Sequence, residues 1–186
     1  KAGNWAYPYA VNVPEAAKLD EGGDASFLAE RNKDGEETIF NLVTGNMGTI
    51  YLSGRIEYAD EYNFALIQEG IELFKQNREF IASASAVYPL GAACMGKRGF
   101  LAAGLIDEAH TEMILAVWKV RAADEDCCML EVGKYFAGET TLEQIYPKQD
   151  EKCRYTYVPE SGRLTVKMTG SQNMARLCRI RLSERD

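Results

Sequence analysis

The residues able to do chemistry in this chain are few and poorly grouped. The single histidine, His110, follows Asp107-Glu108 in a turn, and nothing in the sequence pairs it with a nucleophile, so it reads as a solvated turn residue. Five cysteines, Cys94, Cys127, Cys128, Cys153 and Cys178, are an odd number without Cys-x-x-Cys spacing. Neighbouring residues on a strand face opposite ways, which keeps Cys127 and Cys128 from serving one tetrahedral metal ion. The five read as buried free thiols of a reducing, cytoplasmic compartment, and no metal or other cofactor is expected. Glu57, Asp60 and Glu61 cluster, but Asp60 suits a helix N-cap and Glu61 a first-turn charge, and Glu36-Glu37 has the same reading. Trp118, flanked by alternating apolar residues, reads as a core tryptophan. Arg176, Arg179, Arg181 and Arg185, diluted by Glu184 and Asp186, would fall on both faces of a strand and read as a solvated strand edge.

The elements that must position these residues change texture along the chain. Up to residue 89 the pattern is helical with one embedded strand. Pro8 and Pro14 punctuate an extended opening, and a charged loop over 15–33 holds a short helix at 25–31. Ile39, Leu42 and Val43 at i, i+3 and i+4 predict an amphipathic helix over 36–47 that Gly48 ends. Gly48-Thr-Ile-Tyr-Leu-Ser-Gly54 reads as a short strand buried on both faces, as in a parallel sheet. Asp60 then caps a long helix to about residue 85, packed on that strand. It bears two adjacent apolar stripes, one through Phe64, Ile67, Ile71, Phe74 and Ile81 and one through Leu66, Leu73 and Phe80, so it should be covered from more than one side. From residue 99 the period becomes two, with seven strands over 100–105, 112–120, 126–132, 141–146, 155–158, 164–168 and 176–182. Turn signals between them predict an antiparallel sandwich.

Composition sets the class. The 186 residues are 46% apolar and 26% charged, enough for a packed core and incompatible with disorder. A net charge of −7 from 28 acidic and 21 basic residues disfavours phosphate-backbone binding, so no nucleic-acid partner is expected. No apolar run approaches the roughly 18 residues of a membrane span, and no membrane partner is expected. The chain starts at Lys1 without an initiator Met, in mid-motif, which leads to the expectation that it is a fragment.

Taken in order, Ala2-Gly-Asn-Trp-Ala-Tyr-Pro8, Gly48-Thr-Ile-Tyr-Leu-Ser-Gly54, Phe74-Lys-Gln-Asn-Arg78, Tyr88-Pro-Leu-Gly91, Leu115-Ala-Val-Trp-Lys119 and Ala175-Arg-Leu-Cys-Arg-Ile resemble the C-terminal part of glycoside hydrolase family 36, the α-galactosidase-type family. The resemblance implies a mixed α and β fold: residues 1–90 as the end of a (β/α)8 barrel, its last strands and closing helix, and 91–186 as a C-terminal antiparallel β-sandwich. It implies retaining hydrolysis of terminal α-galactosides by two Asp residues roughly 5–5.5 Å apart. The family's Lys-Trp-Asp strand end and Gly-rich acid/base segment are both missing here, so no catalytic residue is carried over, and this chain alone is expected to be inactive.

Strand-end positions of the barrel leave Asn4, Trp5, Ser53, Gly54 and Arg55 as candidates for a substrate-binding rim, Trp5 by stacking on sugar C–H faces and the others by hydrogen bonding. The partner expected is a carbohydrate met through the parent enzyme, with self-association through the exposed barrel remnant. The competing reading is a self-contained, non-catalytic carbohydrate-binding or structural β-sandwich protein.

Overall fold

The computed structural model describes residues 10–12, 34–53, 56, 59–91, 99–120, 125–170 and 173–183. The expected helix at 25–31 lies outside them.

The N-terminal region is helical, as its period requires. Strand β1 (Ala10–Asn12) pairs in parallel with β2 (Tyr51–Ser53), and helix α1 (Glu36–Asn46) lies between them in sequence. Helix α2 (Glu61–Ser83) starts where Asp60 accepts a hydrogen bond from the Asn63 backbone N–H at 2.7 Å, the N-cap that the sequence predicts. Two expectations for this region need correction. Leu52 on β2 is 41% exposed rather than buried, because among the described residues the ribbon has two strands and no flanking layer over that face. On α2, Leu66, Ile67, Gly70 and Ile81 are buried, but Phe64 is 43% exposed. The helix is thus covered along one face, and it lies chiefly against α1 and the later strand Thr140–Tyr146 rather than on β2.

Ala84 turns extended at φ −67°, ψ 155°, and the chain passes directly into β3 (Ser85–Val87), a strand hidden from sequence reading by the helical stripe running into it. Seven further strands follow: β4 (Gly99–Ile106), β5 (Glu112–Val120), β6 (Cys127–Glu131), β7 (Thr140–Tyr146), β8 (Cys153–Val158), β9 (Arg163–Met168) and β10 (Met174–Leu182). Each falls within three residues of its predicted bounds, since alternation and turn residues are local signals. All pairings among them are antiparallel, in a five-stranded sheet ordered β3-β4-β5-β10-β7 and a three-stranded sheet ordered β6-β9-β8.

The centre of the five-stranded sheet, β5 and β10, is buried on both faces. Met113, Leu115 and Val117 of β5 meet Leu130, Leu164 and Val166 of the three-stranded sheet. Ile114 and Ala116, one residue out of phase, belong to a second core cluster with Ile39, Leu42 and Val43 of α1 and Leu66 and Ile67 of α2. The order of layers is therefore helices, five-stranded sheet, three-stranded sheet. Removing a Leu or Val of this kind from water stabilises the fold by about 1.5–3 kcal/mol each. Among the described residues, no helix is long and apolar enough to cross a membrane.

Candidate functional site

Parallel strands bring their C-terminal ends together, and in the register of β1 and β2 Asn12 stands opposite Ser53. Ser53 is thus at a strand end, where ligand sites of parallel α/β folds form. Asn12, on the neighbouring strand end, was not singled out from sequence, because a three-residue strand carries too little periodicity to be seen. Asn4, Trp5, Gly54 and Arg55 lie outside the described residues.

The charged residues are organised around Arg176. Far from lining a solvated edge, β10 runs between β5 and β7, and the Arg176 side chain is 1% exposed. Its Nη1 and Nη2 donate to the two carboxylate oxygens of Glu36 at 2.8 and 2.9 Å. Nη2 and Nε also donate to the two oxygens of Asp150, and Nη1 donates to the Ala175 carbonyl at 2.8 Å. All five guanidinium N–H groups are thereby used, the condition under which an arginine can be buried. Glu36 is consequently no solvated first-turn charge; it is buried, and Lys152 stands 3.5 Å from it and 2.7 Å from Asp34.

These groups line a cleft of about 340 Å3 with Tyr62 and Gln149. Burial works to raise the Asp150 pKa, but the hydrogen bonds and charge of Arg176 outweigh it and hold the carboxyl below its ordinary value of 3.8. Opposed pressures act on Asp34 in the same way, with Lys152 prevailing. A retaining glycosidase needs one carboxyl protonated near neutrality. Asp150, kept ionised and occupied, cannot be that acid, and the cleft fastens α1 to the sheets.

Lys119 repeats the pattern on a smaller scale: its buried ammonium donates to Asp126 and to the carbonyls of Met168 at 3.0 Å and Gly170 at 2.7 Å. Of the remaining arginines, Arg179 pairs with Glu112 at 2.9 Å and the exposed Arg181 with the same carboxylate at 3.1 Å, while Arg185 lies outside the described residues.

The cysteines divide by strand face. Cys127 is exposed and Cys128, next to it, is partly buried, as opposite faces require, while Cys153 and Cys178 are buried; Cys94 lies outside the described residues. Cys127 therefore departs from the buried thiol expected. Desolvation pushes the Cys128 and Cys178 thiols up to about 12 and Cys153 up to about 11, which removes them as nucleophiles at neutral pH. No group of His, Cys, Asp or Glu among the described residues could hold a metal ion. His110 is exposed, in a left-handed turn conformation at φ 55°, with Nδ1 2.9 Å from the Tyr135 carbonyl.

A second concavity, of about 500 Å3, opens between α1 and the β4–β5 part of the sheet. Phe40, Asn41 and Thr44 of α1, Tyr88 after β3, Leu101 of β4 and Trp118 of β5 line it. Trp118 is only partly buried, a groove wall as well as a core contact. Its indole N–H donates to the Thr44 hydroxyl at 3.1 Å, and that hydroxyl donates in turn to the Phe40 carbonyl at 2.9 Å.

Helices over a doubly buried antiparallel sheet, beside a parallel strand pair, define an architecture found in part of a glycoside hydrolase chain. The GH36 α-galactosidase AgaA of Geobacillus stearothermophilus, solved in complex with 1-deoxygalactonojirimycin, matches 77% of this chain with a TM-score of 0.59 at 12% identity. Its complex with raffinose gives the same values, and a further structure of the enzyme gives a TM-score of 0.51 at 11% identity. The likeness is one of fold, and the chain spans 19% of the length of these relatives. No family model and no curated protein matches the sequence.

Proposed function

We propose that this chain is the C-terminal part of a retaining glycoside hydrolase of the GH36 type, acting on terminal α-galactosides or related α-glycosides. In this reading residues 1–90 supply the last strands and closing helix of a (β/α)8 barrel, and 91–186 form the β-sandwich that supports it. The observation that carries the proposal is the fold shared with AgaA over 77% of this chain and 19% of that one. The exposed Leu52 and Phe64 support it, since strands and helices of a complete barrel would cover such faces.

The chemistry then divides between this chain and what precedes it. The nucleophile and the acid/base belong upstream. Asn4, Trp5, Ser53, Gly54 and Arg55 contribute to the pocket rim, with Asn12 beside Ser53, holding sugar hydroxyls by hydrogen bonds and a C–H face by stacking. The Arg176 network keeps the first turn of α1 on the sheets, so the barrel end has a fixed support.

The test compares the 186-residue chain with the longer product of its gene on p-nitrophenyl α-galactoside. The longer protein should turn it over with retention of the anomeric configuration, read by NMR, and the chain alone should stay at background, because rim contacts without nucleophile and acid/base leave the glycosyl-transfer barrier in place. Turnover by the chain alone that is lost on changing one of its own carboxylates would overturn the assignment, as would an inactive longer protein.

A further inference from the structure

The groove between α1 and the β4–β5 strands has properties that core packing does not demand. Its described lining brings three aromatic residues, Phe40, Tyr88 and Trp118, from three separate elements to one concavity. None of its described lining residues is charged, whereas the cleft around Arg176 is dense with ions. Its volume, about 500 Å3, is that of a small-molecule site. Trp118 is held by its edge: the bond from its N–H to Thr44, relayed to the Phe40 carbonyl, occupies the one polar atom of the indole and fixes the ring against α1. What remains toward the groove is apolar ring surface. Tyr88, half-exposed, adds a second ring to the lining.

We infer that this groove binds a pyranose ring of a neutral oligosaccharide, stacked on Trp118 and Tyr88. The described lining, uncharged throughout, matches a ligand without charge. The Trp118 face, fixed against α1, matches the C–H face of a sugar, while the Tyr88 hydroxyl suits its hydroxyl edge. The choice of a sugar among neutral rings rests on the glycoside hydrolase reading above.

The experiment is a titration of the intact 186-residue chain with melibiose, followed by 1H–15N and aromatic NMR. Saturable shifts should map to the Trp118 indole, Asn41 and Tyr88. Tyr88→Ala, at a half-exposed position, should weaken binding about tenfold with an unchanged melting temperature. Trp118→Phe, which retains an aromatic core contact, should weaken it as well. The inference is overturned by an absence of saturable shifts, by shifts that map elsewhere, or by a Tyr88→Ala variant of unaltered affinity. It is equally overturned if the groove takes an apolar dye and refuses melibiose, or if Tyr88→Ala changes the sedimentation coefficient, which would make the groove a contact between copies of the chain. Binding by the chain alone and hydrolysis by the longer protein are separate readings, so either can fail without the other.

Discussion

At the scale of the residue, Arg176 is the position on which most depends. Arg176→Met would leave the Glu36 and Asp150 carboxylates buried without their counter-charge, and the expected cost is about 3–5 kcal/mol in urea unfolding. Glu36→Gln, which leaves Arg176 paired with Asp150, should cost less, on the order of 1–3 kcal/mol. A variant Arg176→Met as stable as the parent would show the network to be dispensable. The same network sets the acid limit of the fold. Asp150 titrates at about its ordinary 3.8 when unfolded and lower when folded, so the unfolded state binds the proton first as pH falls. Its stabilisation is complete above that value and is lost as pH drops toward the folded pKa, with Asp34 adding in the same direction. Urea midpoints should be level from pH 7 to about pH 5 and fall below pH 4; a midpoint that rises on acidification would contradict this. The thiols give a third expectation: iodoacetamide at neutral pH, mapped by mass spectrometry, should label Cys127 in the native protein and spare Cys128, Cys153 and Cys178.

Between elements, α1 packs closely against α2 at Gly70. A Cβ on Gly70 would stand 3.0 Å from both Cδ atoms of Leu42 and 3.2 Å from its Cβ, and Leu42 is fully buried with nowhere to retreat. The Gly70 carbonyl also accepts from the Asn46 amide at 3.2 Å. Gly70→Ala would gain about 1 kcal/mol of helix propensity, yet overpacking of about 1–3 kcal/mol opposes it. The expected net result is a lower melting temperature; a rise would mean that the two helices can move apart freely. How legible each element was follows from its length or, for the short β2, from the glycines that bracket it. The helix from Asp60 and the seven strands after residue 99 were readable because periodicity repeats several times within each. Strands β1 and β3, three residues each, give less than two repeats of a two-residue period, and only their partners' hydrogen bonds define them.

For the whole molecule, exposure of Leu52 and Phe64 ties the fold to its proposed context. If barrel elements outside this chain cover these residues, the isolated chain should cover them with another copy of itself. Sedimentation velocity should show a weight-average coefficient rising with concentration, and Phe64→Ser should suppress the rise. A chain that stays monomeric throughout the range would remove this support for a barrel remnant and return weight to the self-contained reading.

The sequence by itself determined the order and kind of the longer elements, the Asp60 cap and the strand-face split of Cys127 and Cys128, because each depends on backbone period and on neighbours a few residues away. Tertiary structure alone decided what became of the charges and the aromatics. Arg176 meets Glu36 across 140 positions and Asp150 across 26, so in the sequence it stands among solvated charges while in the fold it is sealed beneath two carboxylates. Trp118 likewise reads as a core residue in its own segment, and nothing in the sequence sets Phe40 or Tyr88 beside it. They become the walls of one groove only because α1 settles over β5 and β10 and leaves its flank above β4 open. A local pattern fixes which way a side chain points, whereas its partner is fixed by the docking of layers that the pattern does not encode.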